Sequence, residues 1–418
     1  MGSKNRVDGH ITDPGKEARR QAGLPIVPVF DGYRAFAILG VVALHLLNAS
    51  GAVETGDSGL LARLTWATVG HSIEVLFMVS GFVVFLPTVA RAGSFGSVRS
   101  YAIRRAARLY PAYWLILVVI LILLATTSFT GIGMPSFRDI LINFAGLHIP
   151  LGMPIPDIPT GFSVNAATWT LSVEICFYIV LPLVAAAYFR HPWIGLLVAA
   201  LITVGWNEFF QHLGTINHDR ELGLEGTEVL RLAANSTLQL PSWAFSFALG
   251  MTGAWMFVNR ERFLARLEGR LVPLMKWVGA IALVFFAWQA GLRSDDTAFD
   301  IVAQYTRFTA WLAIGFSAAL ATVLVGVALK PGNLGRLFSN QPVRRLGDIS
   351  YGIFLSHLVI VTFAGEALGL STDGSAGTFL LWVLVVVPAS VLYGYLSARF
   401  LEQPIRRWAR RYGRRDEA

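Results

Sequence analysis

Five ionisable side chains stand inside long apolar runs of this sequence, where an unpaired charge is costly: His45, His71, Glu74, Glu174 and His357. His45 is the most pointed of them, because Arg34 precedes it by 11 residues. On a helix that spacing is roughly 17 Å of rise and about 20° of rotation, so the two groups share one face at different depths. An arginine at the mouth and an imidazole about midway along the span suit a reaction in which an anionic head is held at the surface while its far end meets a base. Membrane anchoring alone would account for Arg34. It does not account for a histidine set so deep.

The remaining groups form further pairs. His71 and Glu74 are spaced i, i+3 and face the same way, either bonding to each other or lining a site. Glu174 and Tyr178 (i, i+4) share a face, and a carboxylate there needs a cationic partner or else a proton. His357 is the expected partner of His45 or of a carboxylate. Arg105 and Arg108, with Arg104 adjacent, make a fork at the start of the third apolar run. Guanidinium groups read phosphate bidentately, although the same cluster would also serve topology or anionic lipid headgroups. A cofactor with a phosphorylated head and a long thin arm fits this spacing, and coenzyme A thioesters have that shape. The head would lie among Arg34, Arg105 and Arg108, and the thioester would reach His45. A neutral imidazole there draws a proton from a hydroxyl, which attacks the thioester carbonyl without needing a metal.

The elements that must position these groups follow from composition. Of 418 residues, 55% are hydrophobic and only 14% charged, against about 25% charged in soluble domains. Apolar runs long enough to cross a bilayer fall at 33–50, 66–90, 109–127, 166–189, 193–210, 238–258, 271–292, 308–329, 346–368 and 377–400. The expected fold is therefore an all-α bundle of about ten transmembrane helices. Ten spans put both termini on one side, and 28 of the 34 basic residues then fall on that side, so both termini are expected in the cytoplasm. The net charge of +8 is thereby a topology signal, and no nucleic-acid partner is called for. A polar cytoplasmic tail is expected over 1–28, a membrane domain over 29–401 and a basic cytoplasmic tail over 402–418. The loops 128–165 and 211–237 lie on the outer face, either as ordered caps or as covers for a site.

With the spans in place, the motifs resemble those of the acyltransferase-3 family of multi-pass membrane O-acyltransferases. The first reads Phe30-Asp31-Gly32-Tyr33-Arg34-Ala35 followed by His45; the second runs from Glu74 to Phe82 and contains Ser80. The third, Arg104-Arg105-Ala106-Ala107-Arg108-Leu109-Tyr110-Pro111, holds the family's paired arginines. Thr168-Trp169-Thr170-Leu171-Ser172-Val173-Glu174, Ser350-Tyr351-Gly352-Ile353-Phe354-Leu355-Ser356-His357 and Glu402-Gln403-Pro404-Ile405-Arg406 complete the series. The resemblance implies transfer from cytoplasmic acyl-CoA, acetyl-CoA most simply, to a hydroxyl of an extracytoplasmic sugar or glycolipid. It implies that His45 is catalytic and that Arg34, Arg105 and Arg108 serve the donor. Arg104 is expected to join them by its place in the cluster, and His45 to work alone or with Glu174 or His357. His71, Glu74, Ser80, Trp169, Tyr178 and Tyr351 are expected to line the site or meet the acceptor. Glu74 stands where the family usually has Asp. No hydrolase-like domain follows the tenth span as in some relatives, so transfer is expected to be direct or through a separate protein. A transporter or flippase for a lipid-linked glycan would also line its path with buried polar groups, and differs in needing no coenzyme A.

Overall fold

The computed structural model describes residues 27–53, 68–128, 131–261, 270–292 and 310–415. Most of the expected N-terminal tail, and the starts of the spans expected at 66 and 308, lie outside these residues. Each of the ten expected spans falls on a helix. In chain order these are α1 (Val29–Ala49), α2 (Ser72–Ala90), α3 (Val98–Thr126), α4 (Trp169–Arg190), α5 (Pro192–Gln211), α6 (Leu240–Val258), α7 (Leu271–Leu292), α8 (Ala310–Leu329), α9 (Gln341–Leu368) and α10 (Ala376–Ser397). Among the described residues, seven helical stretches are long and apolar enough to cross a membrane. An eighth is added if Ile314–Leu329 and Gly332–Ser339, bent by 87°, count as one.

Their outward faces are apolar. Leu183 is 80% exposed and Ile281 67%, which in water would be an aggregation surface and against lipid is the expected solvent contact. In lipid, association relies on close packing rather than on the hydrophobic effect, and small residues allow it. A Cβ on Gly81 of α2 would run into the Phe247 backbone of α6, and one on Gly250 of α6 into the Met78 carbonyl of α2. Gly352 of α9 likewise lies against Gly394 of α10. These contacts draw α2 and α6, and α9 and α10, together backbone to backbone.

Three boundaries differ from the sequence expectation. Helix α1 begins at Val29 rather than at 33, because Val29 and Phe30 are buried and extend its apolar face. Arg34 is therefore inside the helix rather than at its mouth, and His45 lies near the C-terminal end rather than midway. Helix α3 begins at Val98, eleven residues early, where the Ser97 hydroxyl caps it by accepting from the Ser100 N–H. Arg104, Arg105 and Arg108 thus lie in its second and third turns, not at its start. Beyond α10 a π turn, Ala398–Glu402, leads into α11 (Gln403–Arg415), so the expected basic tail is helical as far as the description reaches.

The described residues of the loops 128–165 and 211–237 form short helices held to one another. Asn143 ties helix Phe137–Ala145 to Pro159 and Gly161, with Nδ2 donating to the Pro159 carbonyl and Oδ1 accepting from the Gly161 N–H, each at 2.9 Å. Arg231 of helix Gly226–Thr237 donates to the Gly152 carbonyl at 2.8 Å and the Met153 carbonyl at 3.1 Å, which joins one loop to the other.

Candidate active site

Helices α1 and α9 pack along each other and bring His45 and His357 together, with His357 Nε2 3.1 Å from His45 Nδ1. His357 is fully buried and His45 half-buried. The Phe354 carbonyl, which can only accept, lies 2.6 Å from His357 Nδ1. That nitrogen therefore carries the proton of a neutral ring, which leaves His357 Nε2 as an acceptor. His45 must then donate through Nδ1, and its Nε2 keeps a free lone pair. The bond between the rings thus fixes a tautomer in which the half-exposed histidine can take up a proton.

A second centre forms about three helical turns away, at the Arg34 level of α1. Glu174 of α4 accepts from the Ser80 hydroxyl of α2 and from the Tyr178 hydroxyl, both at 2.5 Å. Arg34 and Arg108 are in electrostatic reach of each other and of Glu174. Neither makes a hydrogen bond or ion pair among the described residues. Arg105 lies over the rings of Tyr101 and Tyr178, at 5.7 and 5.5 Å from their centroids, and its buried Nε has no partner. Arg104, adjacent to Arg105 on α3, is half-buried and has a partner of its own. Two half-buried guanidiniums that share a carboxylate already engaged by hydroxyls make a site for an incoming anion. Glu174 therefore belongs with the arginines, and His357, not Glu174, is the group that touches His45.

The other expected residues divide. His71 and Glu74 bond to each other, Nδ1 to Oε2 at 2.8 Å, and the His71 ring stacks on Phe316 at 3.7 Å. Trp169 is a wall of the aromatic core, packed on Phe77 and Trp243. Tyr351 donates to the Leu109 carbonyl at 2.9 Å, next to Arg108. Sequence reasoning missed Tyr101, whose ring beneath Arg105 shows only in three dimensions. It also missed His148, in the loop between α3 and α4. Burial pushes that imidazole down to about 4. Among the described residues no group of three or more His, Cys, Asp or Glu is arranged to hold a metal ion.

A helical bundle that spans the membrane, with an imidazole pair at one depth and an open arginine site at another, defines a multi-pass membrane protein built for chemistry within its span. The acyltransferase domain of the acyltransferase-3 family matches residues 27–399, and the chain belongs to that family. It is 24% identical over 410 residues to peptidoglycan O-acetyltransferase OatA of Listeria monocytogenes, covering 91% of this chain and 56% of that protein. It is 24% identical over 387 residues to nodulation protein 10 of Rhizobium leguminosarum, covering 90% and 92% respectively. A shorter match, 32% identical over 161 residues, covers 38% of this chain and 38% of acyltransferase MdmB of Streptomyces mycarofaciens. The chain thus spans little more than half the length of the Listeria protein and nearly all of the Rhizobium one. No solved structure matches significantly.

Proposed function

We propose that this acyltransferase moves an acyl group, acetyl most simply, from cytoplasmic acyl-CoA to a hydroxyl of an extracytoplasmic cell-envelope sugar or glycolipid. The observation that carries this is the tautomer imposed on His45, whose free Nε2 lies on the same helix as an unpaired arginine 11 residues away. Coenzyme A phosphates sit between Arg34 and Arg108, with Arg105 alongside, and the acyl arm runs toward His45. His45 Nε2 takes the proton of the acceptor hydroxyl as its oxygen attacks the thioester carbonyl. The tetrahedral intermediate collapses, the C–S bond breaks, and the imidazolium returns its proton to the leaving thiolate. His357 acts through His45 as a positioning residue, and the Glu174 charge offsets the repulsion between Arg34 and Arg108 without pairing with either. The sequence bias of basic residues, 28 of 34 in the segments on the side of the termini in a ten-span reading, supports donor entry from the cytoplasm. Names of relatives that refer to peptidoglycan support a carbohydrate acceptor.

Mass spectrometry of envelope lipids and glycans with and without the gene tests the assignment. Loss of an acyl mass on deletion is expected, and an unchanged acylation pattern with altered sidedness would replace the enzyme by a transporter. For the histidine pair, His357→Ala should lower kcat by about 10- to 100-fold, in the range seen when a residue that orients a reactive group is removed. The KM for acyl-CoA should hold, because His357 is remote from the arginines. A rise in KM with kcat unchanged would count against a positioning role.

A further inference from the structure

The last span does not stop with α10. It passes through the π turn at Ala398–Glu402 and continues as α11. A π turn carries a residue that the regular ladder cannot absorb, and such bulges are frequent at functional sites. This one ends on Glu402, which is 1% exposed. Its carboxylate accepts from the Ser397 hydroxyl at 3.2 Å and pairs with Arg406, one turn on in α11. The transfer chemistry described above makes no use of this buried pair.

Glu402 is in electrostatic reach of Arg108 and of Tyr351. The Tyr351 hydroxyl donates to the carbonyl of Leu109, the residue after Arg108, and α3 packs on both the π turn and α11. Two carboxylates therefore border Arg108, and each is already engaged. Glu174 is held by Ser80 and Tyr178, and Glu402 by Ser397 and Arg406. A carboxylate released from its partner beside a free guanidinium in a low-dielectric interior would close on it, because leaving both unpaired is the costlier state.

We propose that Arg406 is a positioning residue that tethers Glu402 and so keeps Arg108 open for a phosphate-bearing ligand, a role that rests on the donor site proposed above. The tether explains why a chain with one buried and one half-buried carboxylate in electrostatic reach of Arg108 still offers that guanidinium unpaired. It also gives the Glu402–Arg406 segment a task beyond anchoring the end of the last span.

The test uses the purified full chain in lipid nanodiscs. Without ligand, Arg108→Gln should lower the melting temperature by about 2 °C or more in the Arg406→Ala background, where Glu402 has moved onto Arg108. In the wild-type background the same change should leave it level or raise it. Binding of coenzyme A should weaken about tenfold or more in Arg406→Ala, the size of one lost charge-assisted contact. Adding Glu402→Gln to Arg406→Ala should restore affinity to within about threefold of wild type. Equal effects of Arg108→Gln in both backgrounds would overturn the tether, as would a binding loss that Glu402→Gln does not repair. Background-dependent melting in a protein that binds no coenzyme A would uphold the tether and remove the donor assignment instead. If Arg406→Ala does not accumulate, Arg406→Met preserves the packing of the side-chain stem and is read in the same way.

Discussion

His45→Ala should reduce acyl transfer by about 10²- to 10⁴-fold, the usual contribution of a positioned general base, with KM for acyl-CoA nearly unchanged. The reason lies in the pair of rings. Phe354 fixes the proton on His357 Nδ1, His357 fixes the proton on His45 Nδ1, and only His45 Nε2 is left to accept. His45→Gln should be as inactive as alanine, since an amide keeps size and polarity without basicity. The decisive measurement is single-turnover transfer of labelled acetyl from acetyl-CoA by protein that is folded and inserted at wild-type levels. Full activity in His45→Ala would remove the imidazole from the chemistry, whatever the arginines do.

Arg108→Ala should weaken donor affinity by roughly 10- to 150-fold, the range for removing a hydrogen-bonded charge from a phosphate. Arg34→Ala should do the same. Lysine should rescue neither fully, because it offers a point charge where guanidinium offers a planar fork. In the ligand-free protein the two cations lie in electrostatic reach of each other and make no ion pair among the described residues. Removing one relieves repulsion, so Arg34→Met should raise the melting temperature while it disables transfer. Stability lost to an open binding site and regained on its removal is a common trade. Coenzyme A binding and the melting temperature of the same samples check both halves. A kcat loss at constant KM and constant coenzyme A affinity would take these arginines out of donor binding.

Much of this was legible in the residues themselves. Hydropathy placed all ten long helices, since a run that must satisfy its own backbone in lipid has little choice but helix. The helical period put Arg34 and His45 on one face of α1, and the spacing of Arg105 and Arg108 put both on one face of α3. Ends were harder to read. The true start of α1 depends on Val29 and Phe30 being buried by neighbouring helices, and that of α3 on a serine cap within a polar stretch.

By itself, then, the sequence determined the solvent, the helices and the list of polar groups that lipid would not tolerate. Local periodicity and the cost of charge in hydrocarbon fix those without reference to partners. Only the tertiary structure decided which groups meet. It joined His45 to His357 across 312 residues and Ser80 to Glu174 across 94, and it set Arg105 over Tyr101 and Tyr178. It also set His357, and not Glu174, against His45, because α1 and α9 pack together while Glu174 of α4 lies in electrostatic reach of the arginines. Such pairings arise from the close approach of glycine-lined helices, which no single segment encodes.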